Sequence, residues 1–158
     1  MGETKVNAVF LSFNVPPEIQ ISNEIYSPGT SDEHITVMEN LKTIKVEGAV
    51  LVTTPQAVAV GDVRREVTFC KKAKLKILGI IENMSGFECP NCKECTNIFS
   101  KGGGKALADH VKVPFLAEIP IDPSLAMAAE KGENFMKEFQ GSSTAAAFSS
   151  VIEKIQKI

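Results

Sequence analysis

Short continuous apolar runs alternate along this chain with segments whose apolar residues recur every three or four positions. That alternation sets the first reading of its elements. Val6–Val15 is rich in Val and Phe and predicts a strand that ends at Pro16-Pro17. Residues 18–28 carry no clear period. Thr30-Ser31-Asp32-Glu33 reads as a capping box, and Ile35, Met38 and Leu41 then fall on one helical face. Gly48–Thr53 is a continuous apolar run, the pattern of a strand buried on both faces. Thr54-Pro55-Gln56 breaks it and leads into a helix. The core stripe of that helix is Val60, Val63, Val67 and Cys70, and Arg64, Arg65, Lys71 and Lys72 lie towards solvent. Leu75–Ile81 predicts a second buried strand, ending at Glu82-Asn83-Met84, and Ser85–Ser100 reads as a loop without period. Gly102-Gly103-Gly104 precedes a short helix through Leu107 and Val111. Val113–Ile119 predicts a third strand closed by Pro120, and helices follow over about Pro123–Lys131 and Thr144–Lys157. Apolar strands alternating with helices predict an α/β chain with a parallel sheet covered on both faces.

Composition narrows the function classes. The chain has 158 residues, 44% of them hydrophobic and 23% charged, enough for one core but hardly for two domains. Its 17 basic residues against 19 acidic ones leave a net charge of −2. A binder of duplex nucleic acid needs a basic excess to neutralise phosphates, so no nucleic-acid partner is expected. The longest apolar runs fall far short of the roughly 20 residues needed to cross a bilayer, so no membrane partner is expected either. Met1–Val6 carries no secretory signal, and Val6 stands where a myristoylation signal takes Ser or Thr. The expected compartment is the cytoplasm or nucleus, where thiols stay reduced.

In such a compartment the cysteines ask for a metal rather than a disulfide. Three of the four, Cys89, Cys92 and Cys95, form a CxxCxxC array with Pro90 after the first, and only Cys70 lies elsewhere. Thiolates at that spacing can aim at one soft metal centre. Structural zinc needs four ligands, with His110 or Cys70 as the possible fourth. A [4Fe–4S] cube also needs four thiolates, and a symmetric dimer giving one CxxC pair per chain supplies them. Reduced surface cysteines without metal are the third reading.

The glycine run Ser100-Lys101-Gly102-Gly103-Gly104-Lys105-Ala106 is not a phosphate loop. A GxxxxGK[ST] motif ending there needs Gly at position 99 and a hydroxyl at position 106, where the chain has Phe99 and Ala106. The glycines are expected to let the loop turn tightly into its helix, with anion binding by the helix start as the weaker alternative.

Taken together, Pro28-Gly29-Thr30-Ser31-Asp32-Glu33-His34, Thr53-Thr54-Pro55-Gln56, Val60-Gly61-Asp62-Val63-Arg64-Arg65-Glu66, Glu82-Asn83-Met84-Ser85-Gly86-Phe87, Cys89-Pro90-Asn91-Cys92 and Phe99-Ser100-Lys101-Gly102-Gly103-Gly104 occur in an order that resembles the Mrp/Nbp type of P-loop ATPases, scaffolds of cytosolic iron–sulfur cluster assembly. The resemblance runs from Pro28 nearly to Ile158. It implies a deviant-Walker fold, a homodimer or a heterotetramer with a larger sister subunit, and ATP-dependent assembly of a [4Fe–4S] cluster for transfer to apo-proteins. By the same resemblance Cys89 and Cys92 match the bridging cluster ligands, and Cys95 matches a further cysteine of the small-subunit type. Asn83 falls where related ATPases contact adenine, and Pro120 and Asp122 lie in the strand-end loop beside it. The plain alternative for Asn83 is a strand-end turn residue.

The chain also departs from that family. It has no Walker A loop, Ile25 stands in place of a magnesium-linked carboxylate, and residues 1–27 do not resemble the family. The expected organisation is a divergent segment, 1–27, followed by 28–158 as the C-terminal part of the ATPase-type domain. That is a partial P-loop NTPase sheet without its N-terminal strand and P-loop, as in a truncated or alternatively spliced form. The missing strand would normally sit mid-sheet, and whether Val6–Phe13 fills its place is a question for the structure. Three functions follow: a cluster scaffold, a non-catalytic module that docks on full-length subunits, and a zinc-binding structural domain. ATP hydrolysis by the chain alone ranks last, because the parts that position phosphates are missing.

Overall fold

The computed structural model describes residues 8–11, 48–89 and 95–158. The capping box at Thr30–Glu33, the helix with Ile35, Met38 and Leu41, Ile25 and Cys92 lie outside the described residues. Five strands form one sheet: β1 (Ala8–Leu11), β2 (Gly48–Thr53), β3 (Ile77–Glu88), β4 (Cys95–Thr96) and β5 (Phe115–Ile121). Five helices accompany them: α1 (Ala57–Lys72), α2 (Gly103–Val111), α3 (Pro123–Lys131), α4 (Phe135–Glu138) and α5 (Ser143–Gln156). β1, β2, β3 and β5 run parallel in that spatial order, and β4 pairs antiparallel with the far end of β3. Ala8–Leu11 lies in register with Gly48–Leu51, so the N-terminal segment does supply a strand along the second edge of β2.

β2 explains why its run is unbroken: all six of its residues are buried. On one face Ala49 and Leu51 meet Val63, Val67 and Cys70 of α1 and Leu107 and Ala108 of α2. On the other, Val50 and Val52 meet Phe148, Val151 and Ile155 of α5. Each of these larger side chains contributes about 1.5–3 kcal/mol by leaving water. α1 follows its predicted stripe, with Arg64, Arg65, Lys71 and Lys72 exposed, but it also buries Glu66. It stops where Lys74 takes a left-handed φ of 57° and the Leu75 amide reaches back to the Cys70 carbonyl at 2.9 Å, the 6→1 bond of a Schellman ending.

β3 differs most from its predicted form. It begins two residues later than Leu75 and runs on through Asn83 and Met84 to Glu88. Near its start the ladder slips: Ala49 pairs with Ile77 but Val50 with Gly79, leaving Leu78 as an extra residue. Gly79 is required there, because a Cβ would lie 2.5 Å from Leu116 and 2.8 Å from the Pro114 carbonyl. The bulge changes which face later residues look towards. Leu78 packs on the α5 side, yet Ile80, two positions on, packs with α1 and α2. Glu82 therefore follows Ile80 to the α2 side. A second irregularity sets Asn83 opposite Ile119 but Phe87 opposite Ile121, so β3 spends four steps where β5 spends two. The positive φ values of Met84 (58°) and Gly86 (86°) take up that excess.

The remaining differences are local. β5 continues through Pro120, tolerated because among the described residues this strand has a single neighbour. The polar stretch between the last two long helices holds α4, anchored by the buried Phe135, whose ring stacks on Phe139 at 5.1 Å.

Candidate functional site

In a parallel sheet, binding residues collect beyond the carboxyl ends of the strands. Here that end gathers Thr53–Gln56 after β2, Glu82–Cys89 along outer β3, and Pro120–Asp122 at the end of β5. The cysteine segment is less loop-like than its sequence suggests. Phe87 pairs with Thr96 and Glu88 with Cys95, so the backbone closes into a hairpin around residues 89–94. Paired strands hold opposite α-carbons about 4.5–5.5 Å apart, and Cys89 is one residue beyond Glu88. The α-carbons of Cys89 and Cys95 are thus held within about 9 Å of each other. Cys89 is half-buried, while Cys92 and the side chain of Cys95 lie outside the described residues.

Neither proposed fourth zinc ligand belongs to this hairpin. Cys70 sits in the last turn of α1, beside the amino end of β3, and is fully buried among Ala49, Leu51 and Val67. The hairpin follows the other end of that strand. Burial, reinforced by the nearby Glu66 carboxylate, pushes the Cys70 thiol up to about 12, so it stays a protonated core residue. His110 is exposed in the last turn of α2, also towards the amino end of the sheet. Among the described residues no group of three His, Cys, Asp or Glu side chains is arranged to hold a metal ion.

The residues matched to adenine contact come together, and each also has a local task. Asn83 lies across the ladder from Ile119, directly before Pro120. Its Oδ1 accepts from the next amide, that of Met84, at 3.0 Å, inside β3 rather than at a strand end. Asp122 caps α3, accepting from the Ser124 amide at 2.8 Å, while its other oxygen accepts from Thr144 Oγ1 at 2.8 Å. Both carboxylate oxygens of Asp122 are thus engaged within the protein, and through Thr144 they fix the start of α5.

The residue that sequence reasoning passed over is Glu82. Its side chain is 0% exposed. Oε1 accepts from Ser85 Oγ at 2.6 Å and from the Gly102 amide at 3.0 Å, and Oε2 accepts from the Gly104 amide at 2.6 Å. The glycine run is therefore an anion-binding helix start whose anion is the chain's own carboxylate. Its glycines are needed for close approach. A Cβ at Gly103 would lie 2.4 Å from the Pro55 carbonyl, and one at Gly104 would lie 3.0 Å from both Glu82 and Thr53. Gly102 adds a φ of 84° at the cap. Next to it, Lys101 bridges to Glu118 of β5 at 3.1 Å. The available signal was an acidic residue ending an apolar strand, in a chain whose glycine run lacked a ligand.

Comparison with known proteins places this geometry. A family model described as ParA: NUBPL iron-transfer P-loop NTPase matches residues 26–156. The cytosolic Fe-S cluster assembly factor NUBP2 homolog of Nematostella vectensis is 61% identical over 128 residues, covering 81% of this chain and 47% of that protein. The human NUBP2 of the same description is 56% identical over the same length and shares. The chain thus spans about half the length of the curated relatives it matches. Among solved structures, a nucleotide-binding protein of Archaeoglobus fulgidus in complex with ADP is 38% identical with a TM-score of 0.60, covering 73% of this chain and 47% of that one. The cell-division ATPase MinD of Pyrococcus furiosus is 26% identical with a TM-score of 0.61, over 88% and 53% respectively. The neighbours have the same architecture, a parallel sheet flanked by helices. The chain belongs to the ParA/NUBPL-type family of P-loop NTPases.

Proposed function

We propose that this chain acts in cytosolic iron–sulfur cluster assembly by holding a [4Fe–4S] cluster as cargo on Cys89 and Cys92, with Cys95 in the same hairpin, for delivery to apo-proteins. The observation that carries the reading is the pairing of Glu88 with Cys95, which closes the backbone around the CxxCxxC array. That pairing brings the backbone positions of Cys89 and Cys95 close together, as thiols that share one soft metal site require. The names of the relatives support the assembly role and the cytosolic setting.

A cube takes four thiolates, and two from each of two subunits complete the set. The partner is a second copy or a larger sister subunit. The thiols must lose their protons to bind, so loading releases protons and weakens in acid. Delivery is exchange of these thiolates for those of the recipient. Cys89 is half-buried rather than sealed in the core, as that exchange requires.

Nucleotide fits this chain in part. In support of a base site, Asn83 lies opposite Ile119, next to Pro120, and Asp122 follows as the cap of α3. The phosphates do not fit on α2, because Glu82 already takes the Gly102 and Gly104 amides. No step of the reading runs through ATP, and hydrolysis by the isolated chain is expected to be negligible. That favours action as a module on other scaffold subunits over turnover by the chain itself.

Anaerobic loading with ferric salt, sulfide and a thiol that reduces part of the iron tests the reading. The expected product is a brown protein holding iron and sulfide in equal amounts, with a native mass above that of one chain. Cys89→Ala with Cys92→Ala should remove both. Stoichiometric zinc with no uptake of iron, or a colourless monomer, overturns it in favour of a structural metal or none.

A further inference from the structure

We propose that Glu82 is the positioning residue of the cysteine hairpin, a single buried carboxylate that clamps the two legs of the excursion carrying Cys89, Cys92 and Cys95. This rests on the reading of those cysteines as cargo ligands. Ser85, one of its donors, lies on the leg entering the hairpin, three residues after Glu82. The other two, the amides of Gly102 and Gly104, lie on the leg leaving it, 20 and 22 residues further along. Everything between, the hairpin included, is a loop closed at its base by one side chain.

The geometry suits that task better than core filling. An apolar residue would fill the space as well, but would leave the buried Gly104 amide, the part-buried Gly102 amide and the Ser85 hydroxyl without an acceptor. A neutral amide would turn a donor towards one of them. Only a carboxylate offers acceptors to all three, and the positive end of α2 favours its charge. The bulge at Leu78 and Gly79 turns the side chain to this face, and Gly104 lacks the Cβ that would press on Glu82. Among the described residues, backbone pairing of β3 with β4 covers two residue pairs, too short to fix the hairpin's seat unaided. The carboxylate supplies the second anchor.

The test compares Glu82→Gln, Ser85→Ala and Thr144→Val with the unaltered chain, each checked for folding by circular dichroism at the assay temperature. Thr144→Val breaks a part-buried carboxylate contact at the same end of the sheet, the one to Asp122, outside the hairpin excursion. Two quantities are read: hydrogen exchange at the Gly102 and Gly104 amides of the metal-free protein, and the rate at which a chelator strips iron from the anaerobically loaded one. Glu82→Gln is expected to speed both at least tenfold, Ser85→Ala about threefold, and Thr144→Val neither. Should Glu82→Gln fail to fold, Ser85→Ala carries the comparison, since it leaves the carboxylate and both amides in place. Iron loss that rises equally in Thr144→Val reflects general loosening and overturns the proposal, as does unchanged loss in both hairpin variants. If the unaltered chain takes up no iron, the cargo reading fails instead, and the exchange arm alone decides whether the clamp exists.

Discussion

Two helices begin at the same end of the sheet, and each has its exposed amides answered by a carboxylate. α3 is closed by Asp122, its own N-cap, two residues from the amide it accepts. α2 is closed by Glu82, which reaches it from another strand across an intervening hairpin. The first cap is local: the bond to the Ser124 amide would form in a short peptide, and only the other oxygen of Asp122, on Thr144, reaches further along the chain. The second is tertiary: it contributes only after β3, the bulge and the glycine run are in place, and it then ties together segments far apart in sequence. The difference separates capping a helix from building a site, since the same chemistry serves either purpose according to how much chain it closes.

The largest effect that tests this contrast is expected from Glu82→Ala. Loss of the buried charged acceptor strands two amides and a hydroxyl, and urea unfolding should show about 3–4 kcal/mol lost. A loss no greater than that of Asp122→Ala would erase the distinction. Gly103→Ala comes next. Its methyl would meet the Pro55 carbonyl, a backbone atom with little freedom to retreat, at 2.4 Å. Overpacking should outweigh the gain in helix propensity and leave a net loss of about 2 kcal/mol. Asp122→Ala removes a cap and the Thr144 contact, for about 1–2 kcal/mol. Asp122→Asn keeps a competent cap and should cost only about 0.5 kcal/mol.

Cys70, remote from both helix starts, sets the floor. Its thiol is held neutral in the fold, with the pKa raised from 9.0 to about 12. The unfolded chain therefore gives up that proton first as pH rises. The stability linked to it is whole below pH 9 and is lost as pH climbs towards 12. Native protein at pH 8 should leave Cys70 unalkylated while unfolded protein labels it, and Cys70→Ala should not change iron uptake.

The legible parts of this molecule were those written locally. The unbroken apolar run of β2, the stripe of Val63, Val67 and Cys70 on α1, and the span of α3 all appear in the fold near where their patterns put them. The cysteine array speaks through its spacing alone, a pattern that asks for a soft metal. What stayed hidden was set by pairing. Phe87-Glu88 and Cys95-Thr96 have no strand period and form a ladder only because they lie opposite each other. Glu82 looked like the polar end of a strand, and nothing nearby in sequence marks Gly104 as its partner. The bulge at Leu78 was equally silent, since Leu75–Ile81 is apolar on both faces and gives no period to interrupt.

That bulge leaves the molecule counting in odds and evens. One residue removed between Ile77 and Gly79 would spare the sheet its kink and leave Glu82 opposite Thr53, whereas one removed between Gly79 and Glu82 would keep the kink but make every later position of β3 trade sides, so that Asn83 faced the glycines and Glu82 was driven among Phe148 and Val151. The interval from the first pairing of β3 to its acidic residue is therefore a fixed tally. A kindred chain in which that tally changes by one must also have surrendered either the kink or the carboxylate.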